Sequence, residues 1–361
     1  MISKKKKLLF CLILLLLPVL ALVLLEFGLR LFWPQPPRGF SDNLFATRNG
    51  VRVIGENCQG RHYSREFNVK IAGNAMGYRD CPGFNPALPA DLILLGDSFC
   101  FGWGVKGEDT AGSVIALKQG WNVYLVGMPG DGIFAEKKRL QLLKTENRPP
   151  IVLLLFDNDL SDYIWLTSVK GMNPDMLTLP IAEMNKTNTP AGFSGVCGKL
   201  IESNVIRLMA RIIYQCGLYD IAANASGSGG RQIQAINTVM SVHRKQFFES
   251  PSWAILKAEY VDFIKSAQAR TDRLIIIRII PPFFTALAKG GNRDYDYNIC
   301  DKNLRDLCEA NNVPYRVFEP ADTAGRYFKY DMHLNPAGHQ ELAGFILNEL
   351  KDHPAAARKN K

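Results

Sequence analysis

The sequence predicts an α/β protein built on a five-stranded parallel sheet, with one apolar helix ahead of it. Three observations point there. Short apolar runs, such as Leu92–Leu95, Ile151–Phe156 and Leu274–Ile280 (broken only by Arg278), have the length of buried strands and end abruptly in Gly, Asp or Pro. Segments of helical character separate them, which implies right-handed crossovers and parallel pairing. Before them stands Leu8–Leu25, an almost unbroken apolar run.

That first run follows Lys4-Lys5-Lys6-Lys7. Eighteen helical residues span roughly 27 Å, about the thickness of a bilayer core. The lysines favour a cytoplasmic N-terminus and send the rest of the chain across. A cleaved signal peptide is the competing reading. Its apolar core is normally shorter and followed by an A-x-A-like site, whereas this run passes into Glu26–Trp33 without one. Residues 1–33 are therefore expected to be a cytoplasmic tip and signal anchor, with residues 8–25 in the membrane. Pro34-Gln35-Pro36-Pro37 makes a stiff exit. Residues 34–90 form a β-rich lead-in, in which Phe67–Ile71 alternates like a half-exposed strand and Asn74–Asp80 is rich in turn formers.

Residues 91–350 form the main domain. Its strands are expected at Leu92–Leu95, Asn122–Val126, Ile151–Phe156, Leu274–Ile280 and Pro314–Phe318. Helices are expected at Thr110–Gln119, Ile133–Lys144, along the face Trp253, Leu256, Tyr260, Phe263 and Ala267, and at Asn298–Asn311. Asn335-Pro336 starts the last helix, whose apolar face is Leu342, Phe345, Ile346 and Leu350, and on which His339 is expected at the surface. Residues 163–250 interrupt the rhythm as an insertion, either a lid that shapes the substrate site or plain decoration. Within it Val205–Cys216 reads as a helix and Ser226–Gly230 as a flexible linker. Asn185-Lys186-Thr187 and Asn224-Ala225-Ser226 match the glycosylation triplet, a pattern common by chance. Residues 351–361 are a polar basic tail. No internal repeat is present.

The formal net charge is +9, partly carried by the two basic termini. No zinc-finger spacing and no basic stripe interleaved with aromatics accompany it, which argues against nucleic acid as a partner. None of the eight cysteines forms a CxxC pair, so no metal site is indicated. In an oxidising compartment Cys197 with Cys216, and Cys58 with Cys81, are the pairs to test; buried thiols are the equal alternative.

The chemistry centres on Gly96-Asp97-Ser98 at the end of the first main strand. Open α/β sheets place their chemistry at the carboxyl ends of strands. A serine hydroxyl needs a base to take its proton. Of the five histidines, His333 follows the last strand and so falls on the same edge. Asp331, two residues earlier, can meet the imidazole and fix its tautomer. Gly130 after the second strand and Asn158 after the third can join the Ser98 N–H as donors to an oxyanion. Taken singly, each of these is more often a turn or a helix cap; together and in order they make a site.

GDSF at 96–99, GMPGDG at 127–132, DNDL at 157–160 and DMHLNPAGH at 331–339 resemble the four signature blocks of the SGNH, or GDSL-type, serine hydrolases. The resemblance covers about residues 91–350. It implies a flavodoxin-like three-layer α/β/α fold and an esterase mechanism without metal or cofactor. It casts Ser98 as nucleophile, His333 as base with Asp331 behind it, and Ser98, Gly130 and Asn158 as the oxyanion hole. Many members separate the Asp and His by two residues, whereas only Met332 intervenes here, as in some branches acting on acetylated polysaccharides. The third block usually carries a Gly where Phe156 stands. The lead-in, including Gly77-Tyr78-Arg79, is similar to a bacterial cell-envelope branch. The resemblance thus implies an esterase held in the inner membrane and facing the periplasm, acting on O-acyl or O-acetyl groups of envelope carbohydrate or lipid. An O-acetyltransferase, or a non-catalytic carbohydrate-binding protein of the same fold, is the alternative.

Overall fold

The computed structural model describes residues 4–35, 39–41, 44–64, 66–145, 147–156, 203–216, 251–280, 299–329 and 331–352. Asn158, Cys197, the linker at 226–230, both glycosylation triplets, Pro281-Pro282, the tail beyond 352 and most of the 163–250 insertion lie outside them. The chain divides into two compact units: Met1–Gly39 with Asn185–Gln232, and Phe40–Met184 with Ile233–Lys361.

Helix α1 (Lys4–Phe32) opens the first unit. Its segment Ile13–Phe32 is long and apolar enough to cross a membrane. The five short strands of the lead-in are β1 (Gly39–Phe40), β2 (Phe45–Arg48), β3 (Val51–Ile54), β4 (Gln59–Tyr63) and β5 (Asn68–Ala72). β2 and β3 form an antiparallel hairpin, as do β4 and β5. Of the five, only β5 shows the alternation that marks a strand in the sequence. The β2–β3 turn is Asn49-Gly50, both at positive φ, the geometry that matches the twist of a two-residue hairpin. Leu44, Ile54, Phe67, Val69 and Ile71 pack there against Phe101 and Met128.

The main sheet follows the expected strands closely. They are β6 (Leu92–Gly96), β7 (Val123–Gly127), β8 (Ile151–Leu155), β9 (Leu274–Ile279) and β10 (Tyr315–Phe318), in the order β10-β9-β8-β6-β7 with every pair parallel. The fold is therefore α/β with the flavodoxin-like strand order. Leu92, Ile93, Leu94 and Leu95 are all buried because both faces of the sheet are covered, which is why the run reads as unbroken rather than alternating.

The helices are α2 (Ser98–Phe101), α3 (Ala111–Gln119), α4 (Ile133–Leu142), α5 (Asn204–Gln215), α6 (Pro251–Gln268), α7 (Ile299–Ala310), α8 (Thr323–Arg326) and α9 (Pro336–Leu350). Ile93, Leu95, Ile151 and Leu153 share one core with α4, α6 and α7. Their neighbours Leu92, Leu94, Val152 and Leu154 share the other with α3 and α9. Right-handed crossovers require this division. The chain moves one way from β6 to β7 and the other way from β7 onward, so α3 falls on one face and α4, α6 and α7 on the other. The strand order reverses at β6, the strand that ends in the Gly-Asp-Ser turn.

One helix is added and two expectations are corrected. The short helix α2 adds to the expected set, and the helix expected at Thr110–Gln119 runs Ala111–Gln119 with Thr110 as its cap, Thr110 Oγ1 accepting from Ser113 N at 3.2 Å. His339 lies on α9 as expected but is buried, because it shares the inward stripe of Leu342 and Ile346. Cys81 is a buried free thiol whose Sγ accepts from Ser113 Oγ, so it does not pair with Cys58.

The sheet tolerates no side chain at its end. A Cβ on Gly127 would overlap Phe101 N and lie 2.6 Å from the Cys100 carbonyl carbon, both backbone atoms of α2. Gly127→Ala is expected to cost about 1–3 kcal/mol or more. Gly344→Ala, in α9 with nothing within 4 Å of the new Cβ, is expected to gain up to about 1 kcal/mol. Thermal melting of the two variants should shift in opposite directions.

Candidate active site

Ser98 is the first residue of α2, directly beyond the end of β6. Asp97 caps the helix by accepting from Phe99 N at 2.9 Å, and this bond aims the Ser98 side chain off the sheet edge. Ser98 is only 5 % exposed. Its Oγ stands 2.7 Å from His333 Nε2 and 3.0 Å from Asp97 Oδ2.

His333 lies between β10 and α9, on the same edge. Asp331 Oδ1 accepts from the His333 backbone N–H at 3.1 Å and from the imidazole Nδ1. One intervening residue lets the Asp331 carboxylate fold back onto the following imidazole within a single loop turn. A proton held at Nδ1 by the carboxylate leaves Nε2 as the acceptor for the serine. Burial alone would raise the Asp331 pKa, but the bonds and charge of His333 and the Trp103 N–H outweigh it and hold the carboxyl below its ordinary value.

Trp103 completes this arrangement, and nothing in its local sequence marks it. Its Nε1–H donates to Asp331 Oδ2 at 3.1 Å, and its ring stacks on the imidazole at 4.9 Å between centroids and 19° between planes. Phe99 packs on the imidazole as well, with centroids 4.8 Å apart. The Trp103 loop is held by two buried residues of the lead-in. Arg79 donates to the carbonyls of Phe101 (3.0 Å), Gly102 (2.5 Å) and Val105. Burial pulls its pKa down to about 9, against the charges of Glu108 and Asp109, so it stays charged at neutral pH. His62 Nδ1 accepts from Gly104 N at 3.3 Å, and its ring meets Trp103 edge-on at 4.3 Å. The Gly77-Tyr78-Arg79 stretch stands out in the sequence, but a clamp on backbone carbonyls has no local signature.

Asp97 sits fully buried beside Ser98. Burial pushes its pKa up, against the Phe99 N–H and the charge of His333. Gly130 follows β7, whose Gly127 pairs with Gly96, so its loop leaves the sheet beside the Ser98 turn. Its φ of +74° is one that glycine adopts freely. The next residue, Asp131, is fixed by Arg139 Nε at 2.5 Å and by Arg52 at 3.8 Å, all three side chains being buried. The structure thus brings Ser98, His333 and Asp331 together and sets Gly130 on their edge, while Asn158 lies outside the described residues. Among the described residues no group of three or more His, Cys, Asp or Glu could hold a metal ion.

No protein-family model and no curated protein matches the chain. One similar solved structure is that of a carbohydrate esterase whose active site displays divergent catalytic and non-catalytic binding functions. It aligns over 75% of this chain and 68% of its own, at 15% identity and a TM-score of 0.34. At that distance the likeness says nothing about mechanism.

Two buried histidines make stability depend on pH. Burial, reinforced by the Arg79 and His333 charges, pulls His62 and His339 down to about 3 from an ordinary 6.5. An unfolded chain takes up these protons below about pH 6.5, while the folded chain refuses them until about pH 3. Their share of stability is therefore whole above that range and lost as pH falls, at up to about 1.4 kcal/mol per pH unit for each group. His339→Gln should flatten the decline of melting temperature between pH 6.5 and pH 4 relative to wild type; an unchanged slope would refute the assignment.

Proposed function

We propose that this protein is a membrane-anchored serine ester hydrolase working through an acyl-enzyme. The hydrogen bond between Ser98 Oγ and His333 Nε2, with Asp331 on the far nitrogen, carries this reading. Ser98 attacks the ester carbonyl as His333 takes its proton. Asp331 steadies the imidazolium, which Trp103 and Phe99 hold in plane. The Ser98 and Gly130 N–H groups and the Asn158 amide are the proposed donors to the oxyanion. His333 returns the proton to the leaving alcohol, and water then attacks the acyl-enzyme with His333 again as base.

The proposed substrate is an O-acyl, in particular O-acetyl, group on envelope carbohydrate or lipid; the SGNH-like blocks and the apolar N-terminal helix support it. In the proposed organisation α1 anchors the chain in the inner membrane, residues 34–90 lead out of it, residues 91–350 form the catalytic domain on the periplasmic side, and residues 351–361 form a tail. The lysines before α1 favour that orientation.

A fluorophosphonate probe is expected to label the wild-type protein and not Ser98→Ala; absence of label on the wild type would overturn the proposal. With a nitrophenyl acetate, Ser98→Ala and His333→Ala are expected to lower kcat/KM by about a thousandfold or more. Trp103→Phe removes one hydrogen bond to a charged carboxylate and keeps the stacking. It should cost roughly 10- to 100-fold, mostly in kcat.

A further inference from the structure

Helix α5 plays no part in the proposed chemistry, yet it is strongly amphipathic. At 3.6 residues per turn, Val205, Ile206, Leu208, Met209, Ile212 and Ile213 share an arc of about 160°, with Arg207 and Arg211 on the opposite side. A helix of a water-soluble domain buries such a face against its own core. Here Val205 is buried, but Ile206, Met209, Ile212 and Ile213 are 39%, 53%, 48% and 41% exposed.

The beginning of α5 is tied to the far end of α1. Glu26, a carboxylate within the apolar segment, would be costly in lipid without partners. It accepts from Arg30 Nε (2.7 Å), Ser203 Oγ (2.8 Å), Asn204 N (3.0 Å), Asn204 Nδ2 (3.3 Å) and Val205 N (2.9 Å). Asn204 Oδ1 in turn accepts from Gln35 N at 2.6 Å, just past the end of α1, and Arg207 donates to the Gln35 carbonyl at 3.2 Å. The beginning of α5 is therefore tied to the stretch from Glu26 to Gln35, which contains Phe32 and Trp33, exposed aromatics of the kind that settle at a membrane interface.

We infer that α5 is an interfacial membrane helix. It lies in the outer headgroup region with Ile206, Met209, Ile212 and Ile213 among the acyl chains and Arg207 and Arg211 toward phosphate and water. Its partner is the bilayer itself, and the inference rests on the reading of α1 as a membrane span. Glu26 then has two tasks: it carries its own charge into the interface fully hydrogen-bonded, and it fixes where the second helix enters.

The test uses the full chain in nanodiscs of phosphatidylcholine and phosphatidylglycerol. Spin labels are placed one at a time through Met209→Cys, Ile213→Cys and Arg211→Cys, with Leu20→Cys on α1 as reference and with Cys11, Cys58, Cys197 and Cys216 replaced by serine in every variant. Each is required to melt like the parent. The ratio of collisions with oxygen to collisions with a water-soluble nickel chelate is expected to be high at 209 and 213, as at 20, and low at 211. Free access of the nickel chelate to 209 and 213 while 20 stays in lipid overturns the inference alone. Shielding of 209 and 213 from both reagents means that protein covers the face, and overturns it equally. Nickel access to residue 20 overturns the membrane-span reading and this inference with it.

Discussion

The hydrogen bond between Ser98 and His333 joins residues 235 positions apart, and much of the larger unit serves to make it possible. A flexible chain would have to give up a large loop entropy to hold two such groups together. The sheet removes that cost in advance. β6 and β10 are parallel members of one sheet, so the loops that leave their carboxyl ends emerge on one rim. The reversal of strand order at β6 separates the flanking helices and leaves that rim open where Ser98 stands.

A parallel sheet delivers the groups only to within a loop's reach of each other. The remaining accuracy comes from buried polar contacts. Asp97 caps α2 beside Ser98, and Trp103 fixes both the His333 ring and the Asp331 carboxylate behind it. Arg79 binds the Trp103 loop through three carbonyls, and Arg52 with Arg139 grips Asp131 beside Gly130. Buried charges of this kind add little net stability, because desolvation offsets most of the attraction. Their value lies in direction: a misplaced partner leaves a charge unsolvated, so the loops have one acceptable arrangement. Hydrophobic packing alone would tolerate several.

The same logic operates in the smaller unit. Glu26 is unfavourable in an apolar segment until the N-terminus of α5 supplies its donors. A polar group in the wrong place by composition thus specifies which second segment must meet the helix, and where.

Much of this architecture is legible in the sequence. The five main strands match their apolar runs within a residue or two, because strands covered on both faces must be continuously apolar. Ser98 lies just beyond β6, and Asp331 and His333 lie between β10 and α9, so chain order fixes their edge. Two signals present in the sequence form no part of the expectations: Asn49-Gly50 marks a hairpin, and the spacing of His339 to Leu342 and Ile346 puts it on the buried stripe of α9 rather than at the surface. The order of residues along the chain was enough to set the sheet, its direction and the rim on which the reactive groups gather, because these follow from local periodicity and from the handedness of crossovers. Three-dimensional packing alone settled that Trp103 stacks on His333, that Arg79 and His62 hold its loop, and that Glu26 caps a helix far along the chain. Those contacts join segments distant in sequence, and no local preference of either partner records the other.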